Sequence, residues 1–221
     1  KKWPKSKSRL NAHIMVSTHL SYDKQISRRK LMAVSIASSL PLIALSGCSP
    51  EAISFNSIDL TGAAYAKDFR LQDHNGNVRT LSDFREKIAV IFFGFTQCPD
   101  VCPTSMATMA EVKRLLGSKG SLLQVLFVTV DPERDTLPVL KEYMLNFDPA
   151  FLALRPELGE LKSLAEHFKV YYKKIDGKTP TSYTMDHTAG KYIFDAKGNI
   201  RLFSRYGTEA AAIAQDIQKL L

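Results

Sequence analysis

From Phe69 onward, apolar and polar positions fall into periods that assign elements. Phe69-Arg70-Leu71-Gln72 alternates, residues 73–77 supply turn chemistry, and Val78-Arg79-Thr80-Leu81 returns, which predicts a hairpin. Ile88 to Phe95 is an almost unbroken apolar run, as expected of a central strand covered on both faces. A helix is expected from about Pro103 to Leu116, with Met106, Met109, Ala110, Val112 and Leu116 on its buried face and Gly117 as its stop. Leu122 to Val130 reads as a second buried strand. Helical spacing returns over 137–146, where Leu140, Tyr143 and Met144, with Phe147 beyond, form the apolar side, and again over 158–168. Short strands are expected at 170–174, 188–194 and 200–204, the last two joined by a turn at 195–199, and an amphipathic helix at 209–221 closes the chain. Strands and helices alternating around a buried sheet predict an α/β fold with a central mixed sheet flanked by helices. There is no internal repeat, and residues 49–66 show no sustained periodicity.

Charge changes the picture only at one end. Of 30 basic and 22 acidic residues in a chain with net charge +8, nine and one fall in residues 1–47, leaving 21 of each sign beyond. A basic leader ahead of a neutral domain argues for targeting and against a nucleic-acid surface. Within that leader, Arg28-Arg29-Lys30 precedes an uncharged stretch from Leu31 to Leu45 that is too short and broken for a spanning helix. It ends in Leu45-Ser46-Gly47-Cys48, which resembles a lipobox, so Cys48 is expected to be lipidated and N-terminal after processing. Ser27-Arg28-Arg29-Lys30-Leu31 also resembles a twin-arginine signal, and Met15 is a candidate start. The expected organisation is an extension and export signal at 1–47, a lipid-anchored linker at 48–66 and a folded domain at 67–221. The domain would then sit outside the cytoplasm in a bacterial cell envelope.

Three cysteines are too few for a disulfide scaffold, so each needs its own explanation. Cys98 and Cys102 sit where the central strand hands over to a helix. At i and i+4 they share a face if the turn is helical, close enough for a metal or a disulfide. A helix N-terminus stabilises thiolate, which is both ligand and nucleophile. Redox enzymes of the thioredoxin type carry two residues between their cysteines; here three intervene.

Phe93-Gly94-Phe95-Thr96 followed by Cys98-Pro99-Asp100-Val101-Cys102-Pro103 resembles the signature of the Sco/SenC family. Val128-Thr129-Val130-Asp131-Pro132-Glu133-Arg134-Asp135-Thr136 is similar to that family's second motif, and Asp186-His187-Thr188 to its third. The resemblance runs over roughly 66–221. It implies a thioredoxin-like fold, copper held by Cys98, Cys102 and His187, and a role in assembling the dinuclear copper centre of cytochrome c oxidase. The implied partners are the copper-site subunit of that oxidase, other copper chaperones or thiol reductants, and the membrane through a lipid anchor. Without the resemblance His187 would read as a solvated loop residue before a strand.

The donor set suits the implied metal. Cu(I) prefers thiolate, Cu(II) accepts imidazole with thiolate, and three protein ligands leave an ion transferable, whereas structural zinc takes four. Asp186 is a candidate to orient His187. Asp131, near where the cysteine loop should lie, is a candidate to influence thiolate charge or partner docking, with a turn-forming role before Pro132 as its plain alternative. Arg134 and Asp135 read as a loop ion pair, His74 and His167 as structural, and Met185 as packing. The alternative function carried by the same resemblance is a membrane-anchored thiol-disulfide oxidoreductase that reduces the cysteines of the oxidase copper site. A peroxiredoxin-like activity is disfavoured, because the P-x-x-x-T pattern is missing before Cys98.

Overall fold

The computed structural model describes residues 53–179 and 182–221; the export leader and Cys48 lie outside them. In chain order the strands are β1 (Ile58–Asp59), β2 (Arg70–Asp73), β3 (Val78–Thr80), β4 (Ile88–Gly94), β5 (Leu123–Thr129), β6 (Leu152–Arg155), β7 (Tyr172–Asp176), β8 (Tyr183–His187), β9 (Gly190–Phe194) and β10 (Ile200–Arg205). The helices are α1 (Val101–Leu115), α2 (Leu137–Leu145), α3 (Leu161–Phe168) and α4 (Ala210–Leu220), with 3₁₀ turns at Leu81–Phe84 and Gly117–Leu122. Eight strands form one mixed sheet in the order β1-β10-β9-β4-β5-β6-β2-β3. The β4–β5 and β5–β6 pairs are parallel and the others antiparallel.

All seven residues of β4 and all seven of β5 are buried, as their apolar runs require. Side chains alternate across the sheet, so Phe92 and its partner Phe127 face one way and Phe93 the other. Phe168 of α3 stacks on Phe93 and Tyr192 from one face, and Tyr143 of α2 stacks on Phe127 from the other. Each such ring contributes roughly 1.5–3 kcal/mol by leaving water. The centre of the sheet is therefore a stiff platform. Helix α1 lays Cys102, Ser105, Met106, Met109 and Val112 inward, and α4 packs beside it with Ile213 and Ile217 buried.

Several expectations are corrected. Helix α1 starts at Val101, ahead of the expected Pro103, so Cys102 belongs to its first turn. Residues 152–155 form an unforeseen strand, β6, that joins β5 to the β2–β3 hairpin. The region before Thr188, expected as loop, contains β8, so His187 ends a strand. It pairs with β7 in a two-stranded sheet separate from the main one. Within the expected linker, Ile58–Asp59 pairs with β10 and Ala66 is buried. The buried Asp216 carboxylate of α4 holds this segment by accepting the Asn56 and Ser57 amides, both at 2.8 Å.

Candidate functional site

The end of β4 and the start of α1 build one side of the site. Cys98 follows a turn in which its amide donates to the Phe95 carbonyl. Its half-buried sulfur in turn faces the Cys102 amide at 3.5 Å, at the amide-rich start of α1. Cys102 is fully buried, and its Sγ fits against the sheet because residue 94 is glycine. A Cβ at Gly94 would stand 2.9 Å from that sulfur and closer still to the rings of Phe92 and Phe127. Both cysteines are free thiols.

The third donor arrives on the β7–β8 hairpin. His187 is half-buried, with its ring edge-on to Phe92 and Phe95 at centroid distances of 6.1 and 5.9 Å. Its Nε2 lies 3.6 Å from Cys102 Sγ, and its Nδ1 lies 3.2 Å from the Thr188 carbonyl. A carbonyl can only accept, so the bond places the ring proton on Nδ1 and leaves the Nε2 lone pair facing the thiols. The donor atoms of Cys98, Cys102 and His187 all lie within 4.8 Å of one another and form a candidate metal site. Two ligands of a first-row ion at about 2.3 Å (sulfur) and about 2.05 Å (nitrogen) stand roughly 3.8 Å apart in a trigonal arrangement. The sulfur–nitrogen spacing here already matches that.

Electrostatics follow from burial. Desolvation pushes the Cys102 thiol far above its ordinary range, against a backbone hydrogen bond from Phe95 that favours thiolate. Burial also lowers the His187 imidazole, with the Thr188 carbonyl and the Asp186 charge opposing, so the neutral form that can ligate is favoured. A cation between these groups would meet, in Cys102, a buried sulfur that needs its charge to ionise.

Two carboxylates hold the frame, one of them unforeseen. Asp135, expected to pair with Arg134, is fully buried instead. It accepts the Thr96 amide at 3.1 Å, the Thr96 hydroxyl at 2.6 Å and the Thr129 hydroxyl, which pins the loop before Cys98. Burial raises its carboxyl, with those hydrogen bonds pulling the other way. Arg134 pairs with the buried Asp131, donates to the Tyr183 carbonyl at 2.9 Å and to Gln97 Oε1 at 3.0 Å, and lies 3.6 Å over the Tyr183 ring. The Tyr183 hydroxyl donates to Asp131 Oδ1 at 2.9 Å. Asp131 is thus more than a turn former: with Arg134 it ties the start of β8 to the cysteine loop.

Asp186 does not take the expected orienting role. It is exposed, since strand alternation turns it away from its neighbour, and the Thr188 carbonyl holds His187 Nδ1 instead. His74 and His167 are structural acceptors, from the Ala153 amide at 3.1 Å and the Lys67 amide at 2.9 Å, and Met185 packs in the core. Sequence reasoning gave Asp135 and Arg134 only a loop ion pair with each other, and missed Tyr183. The only available signal was their position in the second and third motif regions.

Comparison with known proteins places this geometry among relatives. A family model described as SCO1/SenC matches residues 59–221. A SCO2-like protein of Rickettsia felis is 38% identical over 132 residues, 59% of this chain and 64% of that relative. The matched stretch is thus under two thirds of that relative's own length. The structure of Bradyrhizobium japonicum ScoI with copper bound is 37% identical, with a TM-score of 0.65 over 70% of this chain and 98% of that one. Yeast Sco1 with copper bound is 32% identical, with a TM-score of 0.63 over 69% of this chain and 85% of that one. These neighbours share the thioredoxin-like fold of the present chain.

Proposed function

The chain belongs to the SCO1/SenC family, and from that premise we propose that it is a copper metallochaperone for the dinuclear copper centre of cytochrome c oxidase. The observation that carries the reading is the convergence of Cys98, Cys102 and His187 to within 4.8 Å, with the cysteines on the turn into α1 and the histidine on the distant β7–β8 hairpin. Two thiolates suit Cu(I), and the added imidazole suits Cu(II). With three protein donors, one position stays open to an incoming ligand of the receiving protein. Copper is then cargo, and the copper-site subunit of the oxidase is its destination.

The sequence supports delivery from a membrane surface, through lipidation of Cys48 in a bacterial envelope. Among the described residues no helix is long and apolar enough to cross a membrane, so the anchor rests on the leader alone.

The test is anaerobic copper titration of the reduced full-length chain beside His187→Ala. One copper per chain that survives dialysis, and is lost in the variant, is the expected result. Equal retention by His187→Ala would refute the three-donor site. A second reading, reduction of the oxidase's copper-site cysteines, is favoured by one feature: Cys98 is a half-exposed free thiol at a helix N-terminus with Cys102 behind it as a resolving thiol. Turnover of a disulfide peptide by the copper-free chain, abolished in Cys98→Ser, would move the assignment to that activity.

A further inference from the structure

Lys191 is 1% exposed, and among the described residues no ion pair or hydrogen bond reaches its ammonium group, whose remaining exposure is to a cleft that Lys191 lines. It stands opposite Phe92 on one side and Ser204 on the other, so it projects from the sheet face that α1 covers. An isolated buried ammonium is expensive, and long cationic residues are almost never fully buried without a partner.

Its surroundings repeat the same deficit. The hydroxyls of Ser105 and Ser204 are buried and have no hydrogen-bond partner. Ser105 and Lys191 line a cleft of about 400 Å³ together with Thr108, Thr208 and Ala210. A serine inside a helix ordinarily turns its hydroxyl to solvent or back to a carbonyl of the preceding turn; Ser105 does neither. The cleft also meets the N-terminus of α4 at Glu209 and Ala210, where among the described residues no side chain caps the helix and the first-turn amides lack an intrahelical partner. A cation, orphaned hydroxyls and free helical amides are all donors, and all lack an acceptor.

We propose that this cleft binds a phosphate-type oxyanion, held by the Lys191 ammonium, the Ser105 hydroxyl and the amides of the first turn of α4. Positive charge and open amides at a helix N-terminus suit such an anion, and charge-assisted hydrogen bonds give the contact its strength. The two carboxylates on the rim do not oppose it. Glu111 is engaged by the Arg114 fork at 2.7 and 2.6 Å, and the Glu209 side chain is exposed. Burial without a partner lowers Lys191 to about 8, and a bound anion would raise it back toward its ordinary value. The volume exceeds that of inorganic phosphate, which leaves room for a small phosphate monoester.

The test is thermal melting of the metal-free full-length chain in sodium phosphate against sodium chloride at equal ionic strength, for the wild type, Lys191→Met and Ser105→Ala. Phosphate at ten times its dissociation constant is expected to raise the wild-type Tm by about 3–6 °C over chloride. Lys191→Met should melt no lower than wild type in chloride and show no phosphate response. Ser105→Ala should bind phosphate several-fold more weakly. Glycerol phosphate in a third arm separates the sources: a larger response than to inorganic phosphate assigns a monoester, an equal one assigns the free ion. Should Lys191→Met fail to fold, amide shifts of Ala210 to Ala212 in the wild type decide the matter. Equal melting in phosphate and chloride, a response kept by Lys191→Met, or unmoved Ala210 to Ala212 amides would each overturn the site.

Discussion

Replacing Arg134 by Met keeps the stem and roughly the volume but removes the forked donor that clamps the β7–β8 hairpin. Four contacts disappear at once: the pair with Asp131, which is 3% exposed, the bond to the Tyr183 carbonyl, the cation stacked on the Tyr183 ring and a bond to the exposed Gln97, which water replaces at little cost. Breaking a buried pair from one side costs about 3–5 kcal/mol, but the Arg134 side chain is 19% exposed, so water recovers part of that loss. Asp131 also keeps the Tyr183 hydroxyl. About 2 kcal/mol for the pair, with about 1 kcal/mol for the carbonyl and the ring together, gives roughly 3 kcal/mol. Because β7 and β8 pair only with each other, the loss falls on local opening of the hairpin rather than on the whole domain. Amide hydrogen exchange in β8 of the reduced, metal-free chain should then accelerate about 100-fold, since each 1.4 kcal/mol is a factor of ten, while exchange in β4 and β5 stays as it was. Tyr183→Phe, which loses the hydroxyl bond to Asp131 and a longer, exposed one to Glu133, should accelerate it about tenfold. Copper held by Arg134→Met should show a weakened imidazole signature at His187. Exchange in β8 within twofold of wild type would refute the clamp.

Gly94→Ala should destabilise the domain by about 1–3 kcal/mol, because the new Cβ would lie 2.7 Å from Phe92, 2.8 Å from Phe127 and 2.9 Å from Cys102 Sγ; chemical denaturation measures it, and copper retention should fall with it as the sulfur is displaced. Lys191 makes stability depend on alkaline pH. Its folded value of about 8 lies below the ordinary lysine value of 10.5, so the unfolded chain holds more protons between those limits. Stability should therefore rise from about pH 8 to about pH 10, by roughly 2 kcal/mol for that group without anion, and denaturation at the two pH values should show the rise shrinking in Lys191→Met.

Much of the sheet could be read from the chain because its central strands are buried on both faces. Ile88 to Gly94 and Leu123 to Thr129 have to be apolar almost throughout, and runs of seven such residues rich in Val, Ile and Phe belong in a sheet interior. Strand β6 escaped because four residues between turns give no measurable period, and its identity depends on β5 and β2 lying beside it. Strand β8 escaped for the opposite reason: off the main sheet only Met185 is buried, so the segment looks like polar loop. The cysteine pair was legible from spacing, and His187 only through its motif. The exchange of roles between Asp131 and Asp135 was not legible, since two acids four apart after a buried strand carry no sign of which one turns inward. The backbone settles it: the Asp135 carboxylate turns back to the Thr96 amide and hydroxyl, and Asp131 faces Arg134 and Tyr183.

The three donors differ in how firmly they are held, and that difference bears on transfer. Cys102 is locked between α1 and the platform of Phe92 and Phe127, with burial keeping its thiol protonated until a cation arrives. Cys98 is half-exposed on a loop fixed through Thr96 and Asp135, open to an incoming thiol. His187 sits on a two-stranded hairpin tied down by polar contacts. A receiving protein that competes for Arg134 or Tyr183 would loosen His187 first and leave the ion on two sulfurs, one of them accessible. Ligands released in sequence from separate supports suit the proposed delivery role, in which the site gives up its ion. A closed site on one rigid element would hold copper more tightly and deliver it less readily.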